Sequence, residues 1–217
     1  MSIPLYFAAD YEEIVTIPKR HDRALTGFVL YPDGSIRKPP DRIPALAVID
    51  DAFLPQKTPE PHVLDMLADV CGQGCFFDFV RPQTPLHRAL VRGLQARLPQ
   101  MVPLFLPEPY HALAPESICV LSRVRPCNHW ARYLEAKGGS YPAGWCLELI
   151  PWHQALPQRR RRACRRTLPY ACCELEMRGD ELYYFDTAET LRLRLKVAQE
   201  YGCRAAIGLY RELKELA

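Results

Sequence analysis

The 217-residue sequence lacks the local signatures of several common protein classes. No run approaches the ~18 consecutive apolar residues that a membrane-spanning helix needs. The six histidines show neither HxH nor HExxH spacing, and no glycine-rich phosphate loop or Gly-x-Ser-x-Gly elbow occurs. A net charge of +3 is too small to indicate nucleic-acid binding. We therefore expect no metal, no cofactor and no membrane partner, and nucleic acid is not favoured as a ligand.

The nine cysteines also show no metal-ligand spacing. Most lie inside apolar runs, as Cys75, Cys119 and Cys146 do, where free cysteine behaves as a small hydrophobic side chain. An odd number of cysteines favours a reducing compartment, as does the absence of a basic signal-peptide region in residues 1–9. We expect free thiols in the core of a cytoplasmic protein.

Proline is abundant, with 21 residues that mostly border short apolar runs. Nine such runs have the length of a strand: residues 3–9, 28–31, 45–49, 75–79, 102–106, 118–124, 145–150, 171–177 and 204–210. Helical patterns lie between several of them, at residues 60–70, 85–98, 130–137 and 187–201. This alternation predicts a parallel sheet with right-handed crossovers.

The predicted fold class is α/β: a compact single domain over residues 1–217, folded as a (β/α)8 TIM-like barrel. An open doubly wound sheet is the alternative, because the chain is near the lower size limit for a barrel. Two local β-hairpin excursions are also expected. One contains the turn Asp33-Gly34, and the other contains Gly179-Asp180 between apolar arms.

The segment 74–82 reads as a buried strand that ends in a carboxylate, an arginine and a proline. Side chains alternate across a strand, so Phe76, Asp78 and Val80 share one face. An aspartate in so apolar a run needs a partner or a purpose, because an unpaired buried carboxylate is costly. Functional sites lie at the carboxyl ends of parallel strands, so Asp78 marks where a site would be.

This segment resembles the signature of family-18 glycoside hydrolases, the chitinase-like (β/α)8 barrels. That signature is a strand of the form D-G-x-D-x-D-x-E, whose last Glu is the general acid. Gly74 takes the glycine position and Asp78 takes the last aspartate position. Phe76 replaces an aspartate, and Val80 stands where the catalytic glutamate belongs.

The end of the chain extends the resemblance. Tyr184-Phe185-Asp186-Thr187 leads into a helix and a last strand, as a Y-D-x-x-S segment does in the family, and Leu209-Tyr210 stands where the family often has a Trp. The resemblance implies a carbohydrate or small polar ligand at the carboxyl face of the strands. Because valine has no proton to donate, it also implies a barrel that is non-catalytic or weakly active.

Other carboxylates are candidates for a displaced acid, beside Asp78 itself. Glu148 ends one predicted strand, and Glu174 and Glu176 share a face of the next. If these acids converge with Asp78 in a barrel mouth, their repulsion raises one pKa and gives an acid–base pair. Pairing with strand arginines, Arg123 among them, is the structural alternative. An active glycosidase that uses Glu148 or Glu174 therefore stays open as a second hypothesis.

Further polar and aromatic side chains near strand ends are candidate ligand contacts: Asp50, Tyr6, Arg81, Arg123, Glu176, Trp152 and Tyr210. Asp50 can equally cap the loop that follows it, and Arg81 or Arg123 can pair with Asp78. A lesser hypothesis is an interaction protein that uses the six arginines between Arg159 and Arg166. No aromatics interleave with that cluster, so a solvated face is favoured.

Overall fold

A computed structural model describes residues 3–39, 43–53, 56–122, 130–151, 153–156, 174–178 and 181–217. The strands are β1 (Leu5–Ala9), β2 (Asp22–Leu30), β3 (Ile36–Arg37), β4 (Leu46–Asp50), β5 (Cys75–Asp78), β6 (Leu104–Pro107), β7 (Ile118–Leu121), β8 (Trp145–Glu148), β9 (His153–Leu156), β10 (Glu174–Arg178), β11 (Glu181–Phe185) and β12 (Cys203–Leu209). The α-helices are α1 (Tyr11–Ile14), α2 (Pro61–Val70), α3 (Pro85–Gln95), α4 (Trp130–Gly138), α5 (Ala188–Glu200) and α6 (Tyr210–Leu213). In the described residues, 3-10 helices cover Glu108–Leu113 and Lys214–Leu216. Across these ranges, no helix has the length and apolar character required to cross a bilayer.

Eight parallel strands close into a barrel. They follow the order β1, β2, β4, β5, β6, β7, β8 and β12, and β12 pairs with β1 to complete the ring. The predicted (β/α)8 fold is confirmed. The connection from β2 to β4 carries β3, and that from β6 to β7 is a 3-10 helix. These short connections explain how a chain of 217 residues completes a barrel.

Both hairpin excursions are present. β3 pairs antiparallel with β2, and β10 pairs antiparallel with β11, where Arg178 lies opposite Glu181. Strands β9, β10 and β11 form a separate three-stranded sheet. In the sequence, these strands lie between β8 and α5. The described part of the run 171–177 therefore belongs to β10 in this sheet and not to a barrel strand.

The core has two layers that follow from strand alternation. The inner layer fills the barrel and includes Ala24, Val48, Phe76 and Phe105. The outer layer lies between the barrel and its helices and includes Phe77, on the opposite face of β5 from Phe76. The predicted division of faces on β5 is confirmed.

Helix α5, predicted over residues 187–201, begins one residue later than the sequence indicated. Thr187 is the N-cap: its side chain accepts from the Thr190 N–H at 3.3 Å, and its own N–H donates to Thr190 Oγ1 at 2.8 Å. The capping box is therefore formed by Thr187 and Thr190, and Asp186 is not the N-cap. Asp186 instead accepts from Arg194 Nη2 at 2.6 Å in a buried ion pair. A carboxylate paired in this way is held by the arginine and is not needed as the N-cap.

Candidate functional site at the barrel mouth

Asp78 ends β5, the fourth strand of the barrel, at the carboxyl ends of the strands, which we call the mouth. Its carboxyl reaches solvent, but the surrounding protein removes part of its hydration. This desolvation is the largest cause that raises the pKa of Asp78 to about 6, from 3.8. The negative charges of Glu148, Asp50 and Asp51 raise it further. Asp78 therefore keeps its proton to a higher pH than an ordinary aspartate does.

Val80 continues the alternation beyond the end of the strand. Phe79 is buried in the outer core, whereas the Val80 side chain is 76% exposed. Val80 thus follows Asp78 on the face that reaches solvent at the mouth. In the sequence resemblance to family-18 hydrolases this is the position of the general acid, and the residue here is an exposed valine.

The backbone at Val80 is held in place by Asp51, which is completely buried just beyond β4. One oxygen of its carboxylate accepts from the Val80 N–H at 2.8 Å, and the other accepts from the Arg81 N–H at 3.0 Å. His87 Nε2 lies 3.2 Å from the same carboxylate. Since the Thr84 N–H donates to His87 Nδ1, Nε2 carries the proton and donates it to Asp51. The carboxylate is therefore bonded on both oxygens, as a buried charge must be.

An aromatic cluster packs behind the same loop. The rings of Phe79, His87 and Tyr110 lie 4.8–5.3 Å apart between centroids. The Tyr110 hydroxyl donates to the Arg81 carbonyl. Burial, and to a lesser degree the charge of Asp51, raises the pKa of Tyr110 to about 12, so it stays a hydrogen-bond donor. The loop after β5 is thus fixed at successive residues by side chains from other elements.

Glu148 ends β8, the seventh barrel strand, and shares the inward face with Cys146. It is partly exposed, and its charge contributes to the raised pKa of Asp78. Within the described ranges, neither Glu148 nor Asp78 takes part in a salt bridge or a side-chain hydrogen bond. The structure therefore brings these two predicted acids to the same mouth and leaves both carboxylates open there.

Asp50 and Arg81 bond to the loop that follows β4. The Ala52 N–H donates to Asp50 Oδ1 at 2.5 Å, and Arg81 Nη2 donates to the Ala52 carbonyl at 2.5 Å. Asp50 therefore has the loop-capping role that the sequence left open. Arg81 bonds to that loop, not to Asp78.

Two aromatic candidates have their main contacts away from the mouth. Tyr6 lies against Phe105 inside the barrel. Where β1 pairs with β2, Tyr6 lies opposite Asp22, the first residue of β2. Burial, and secondarily the charge of Asp22, raises the pKa of Tyr6. Tyr210 packs outside the barrel, with its ring edge-on to Phe7 at 5.8 Å.

Of the remaining predicted residues, two lie outside the barrel sheet and the others lie outside the described residues. Glu174 and Glu176 lie on β10, in the separate antiparallel sheet, and not on a barrel strand. Arg123, Trp152 and the arginines from Arg159 to Arg166 lie outside the described residues. Among the residues that are described, no group of three or more His, Cys, Asp or Glu is arranged to hold a metal ion.

Sequence reasoning missed the buried support beneath the site. One signal was present: His87 falls on the apolar face of α3 with Leu90, Val91 and Leu94, which predicts a buried histidine that needs a partner. Its partner Asp51 is 36 residues away, and no local pattern connects the two.

No protein-family model and no curated protein sequence matches the chain. Solved structures do match it. The spore cortex-lytic enzyme SleL of Bacillus megaterium gives a TM-score of 0.60 at 13% identity, over 95% of this chain and 70% of that chain. A GH18 chitinase from Cycas revoluta, in complex with (GlcNAc)4, gives 0.57 at 9% identity, over 94% of each chain. A chitinase-like agglutinin from Robinia pseudoacacia gives 0.51 at 8% identity, over 94% of this chain and 93% of that chain.

The chain has the fold of the family-18 chitinases. At these identities the likeness establishes the fold alone, and at that level it confirms the resemblance seen in the sequence. The chitinase-like barrel carries its degenerate motif on the fourth strand, where Asp78 meets the mouth.

Proposed function

We propose that this chitinase-like barrel binds a glycan, or another small polar ligand, at its mouth and does not hydrolyse it by the family-18 route. The observation that carries the proposal is Val80: exposed, apolar, and set where that route requires a carboxylic acid. The loop that presents Val80 is bonded through Asp51 and Tyr110, so the scaffold of the site is intact while the acid is absent.

The mouth offers what a sugar needs. Asp78 and Glu148 provide carboxylate acceptors for hydroxyl groups. Exposed Phe53, Val80 and Ile150 follow β4, β5 and β8 and add apolar surface beside those acceptors. Convergent polar groups within an apolar surround are typical of ligand sites. The Cycas chitinase is seen in complex with (GlcNAc)4, and the Robinia protein is a chitinase-like agglutinin; both support glycan as the ligand class.

The test is to measure binding and turnover of N-acetylated chitooligosaccharides by the natural protein, Val80→Glu and Val80→Gln. We expect saturable binding without hydrolysis by the natural protein. Val80→Glu restores a proton donor two residues after Asp78, and we expect detectable hydrolysis. General acid catalysis supplies about 10²–10⁴-fold. Val80→Gln has nearly the shape of Val80→Glu but lacks the carboxylic acid proton, so this variant should stay inactive.

A second candidate function is an active glycosidase with Glu148 as a displaced acid. It is favoured by one observation, the electrostatic coupling of Glu148 to Asp78 across the mouth. In that case the natural protein hydrolyses the oligosaccharide, and both Glu148→Gln and Asp78→Ala abolish turnover. That result would overturn the proposal of an inactive site.

A further inference from the structure

Phe53 is an exposed aromatic residue on the rim of the mouth. It follows β4 by three residues, and 47% of its side chain is exposed. Tyr31, immediately after β2, stacks on its ring, with centroids 5.5 Å apart and planes inclined by 20°. One face of the Phe53 ring is thus backed by Tyr31, and about half of the residue is open to solvent.

Backbone bonds lock the two loops that carry this pair. The N–H groups of Gln56 and Lys57 both donate to the Pro32 carbonyl, at 2.8 and 2.9 Å. Gly34 approaches so closely that an added Cβ would lie 2.9 Å from the Thr58 carbonyl oxygen. The rings are therefore held in position before any ligand arrives, which lowers the entropy lost on binding.

The pair is joined directly to the loop after β5. Ala52, which precedes Phe53, accepts from Arg81, which follows Val80. In the barrel, Asp50 of β4 lies in register with Asp78 of β5. The exposed ring therefore follows the strand that lies next to the one carrying Asp78.

We infer that Tyr31 and Phe53 form a stacking platform for a pyranose ring, which makes the ligand an oligosaccharide long enough to contact both Phe53 and Asp78. A flat, rigid, apolar ring face suits the C–H face of a sugar, whereas so small an exposed apolar surface does not suit a protein partner, which needs a far larger patch. The inference rests on the proposed function and extends it by assigning a second subsite.

The experiment compares dissociation constants for chitobiose and chitopentaose by calorimetry. In the natural protein we expect affinity to rise with chain length. Phe53→Ala should weaken the longer ligand by about 2- to 10-fold and so reduce that rise. Phe53→Trp should preserve the increase of affinity with chain length. Phe53→Leu, which keeps apolar volume without a ring face, should lose that increase. Met101→Ala removes an 89%-exposed side chain just before β6, at the opposite end of the barrel, and should change nothing.

The possible failures are distinguishable. If Phe53→Ala binds chitobiose and chitopentaose as tightly as the natural protein does, the platform is wrong and the proposed function stands. If the natural protein binds neither oligosaccharide, the proposed function fails and the platform fails with it. Phe53→Trp and Phe53→Leu decide the question if Phe53→Ala proves poorly folded.

Discussion

At the scale of the residue, the adjacent acids Asp50 and Asp51 show how far sequence reasoning reaches. Local rules predict a capped loop after a strand, and Asp50 caps it. The same rules do not distinguish Asp51, whose bonds to Val80 and Arg81 cross about 30 residues. The predicted importance of Asp78 came from an apolar strand that ends in a carboxylate, which is local information. The support beneath it depends on packing between distant elements, and no sequence pattern specifies that.

Asp78 makes stability depend on pH in a defined direction. Its folded-state pKa, about 6, lies above its ordinary value of 3.8, so the folded protein binds more protons than the unfolded chain between these values. The charged form therefore destabilises the fold, and the penalty grows as pH rises through this interval. We expect Asp78→Asn to raise the melting temperature at pH 8, by a few degrees at most because solvent at the mouth screens the charge.

The gain from Asp78→Asn should decrease as pH falls from about 6 to 3.8 and be nearly gone at the acid end of the range, where most of the carboxyl is protonated in both states. Thermal melts of both proteins across pH 3.5–8.5 measure this, with Asp33→Asn as a control for an exposed aspartate whose pKa is lowered by Ser35. A melting difference that does not vary with pH would show that Asp78 carries no raised pKa.

At the scale of the element, strands were predicted where alternation and boundary residues are local. Phe76 and Phe77 were assigned to opposite faces of β5 from period alone, and their placement in different core layers confirms it. The run 171–177 has the same local features, yet β10 pairs with β11 in a separate sheet. Which strand a segment pairs with is a property of the whole chain, so composition could not decide it.

Gly74, at the start of β5, provides a test at this scale. Its φ of 127° is a conformation that side chains rarely adopt, and an added Cβ would lie 2.6 Å from Leu46 Cδ1 and 3.0 Å from Pro103 Cγ. Strain and overpacking together should cost about 2–5 kcal/mol in Gly74→Ala. Urea unfolding measures the loss. Gly72→Ala is the matched control, because an added Cβ there meets nothing within 4 Å, and equal losses in both variants would contradict the packing explanation.

At the scale of the whole molecule, the number and spacing of the strand runs, together with the resemblance on β5, predicted a closed barrel. The sequence left an open sheet as the alternative because closure requires β12 to pair with β1, and those strands are nearly 200 residues apart. The positions of Tyr6 and Tyr210 were not predictable for a related reason. A strand-end aromatic can face the barrel, the mouth or the helices, and only the closed ring decides among them.

The thiols test the expected reducing compartment. The five described cysteines, Cys71, Cys75, Cys119, Cys146 and Cys203, are free and buried. Desolvation raises the pKa of Cys203 to about 12 and that of Cys146 well above its ordinary value, so neither forms a reactive thiolate at neutral pH. A thiol reagent added without reductant should leave these five unmodified in the folded protein. It should count all nine after unfolding, whereas a count of seven or fewer would indicate native disulfides.

The exposure of Val80 has an evolutionary consequence. Its backbone is fixed by bonds from Asp51, while 76% of its side chain contacts no protein. Substitution at so exposed a side chain changes folding stability by only about 0.5 kcal/mol, well inside the margin that natural proteins tolerate. A lineage can therefore exchange an acid for an apolar residue here, or reverse the exchange, in one step and without compensating changes in the core. Under the proposed function, the gain or loss of catalysis at this position would be separated from the selection that maintains the fold.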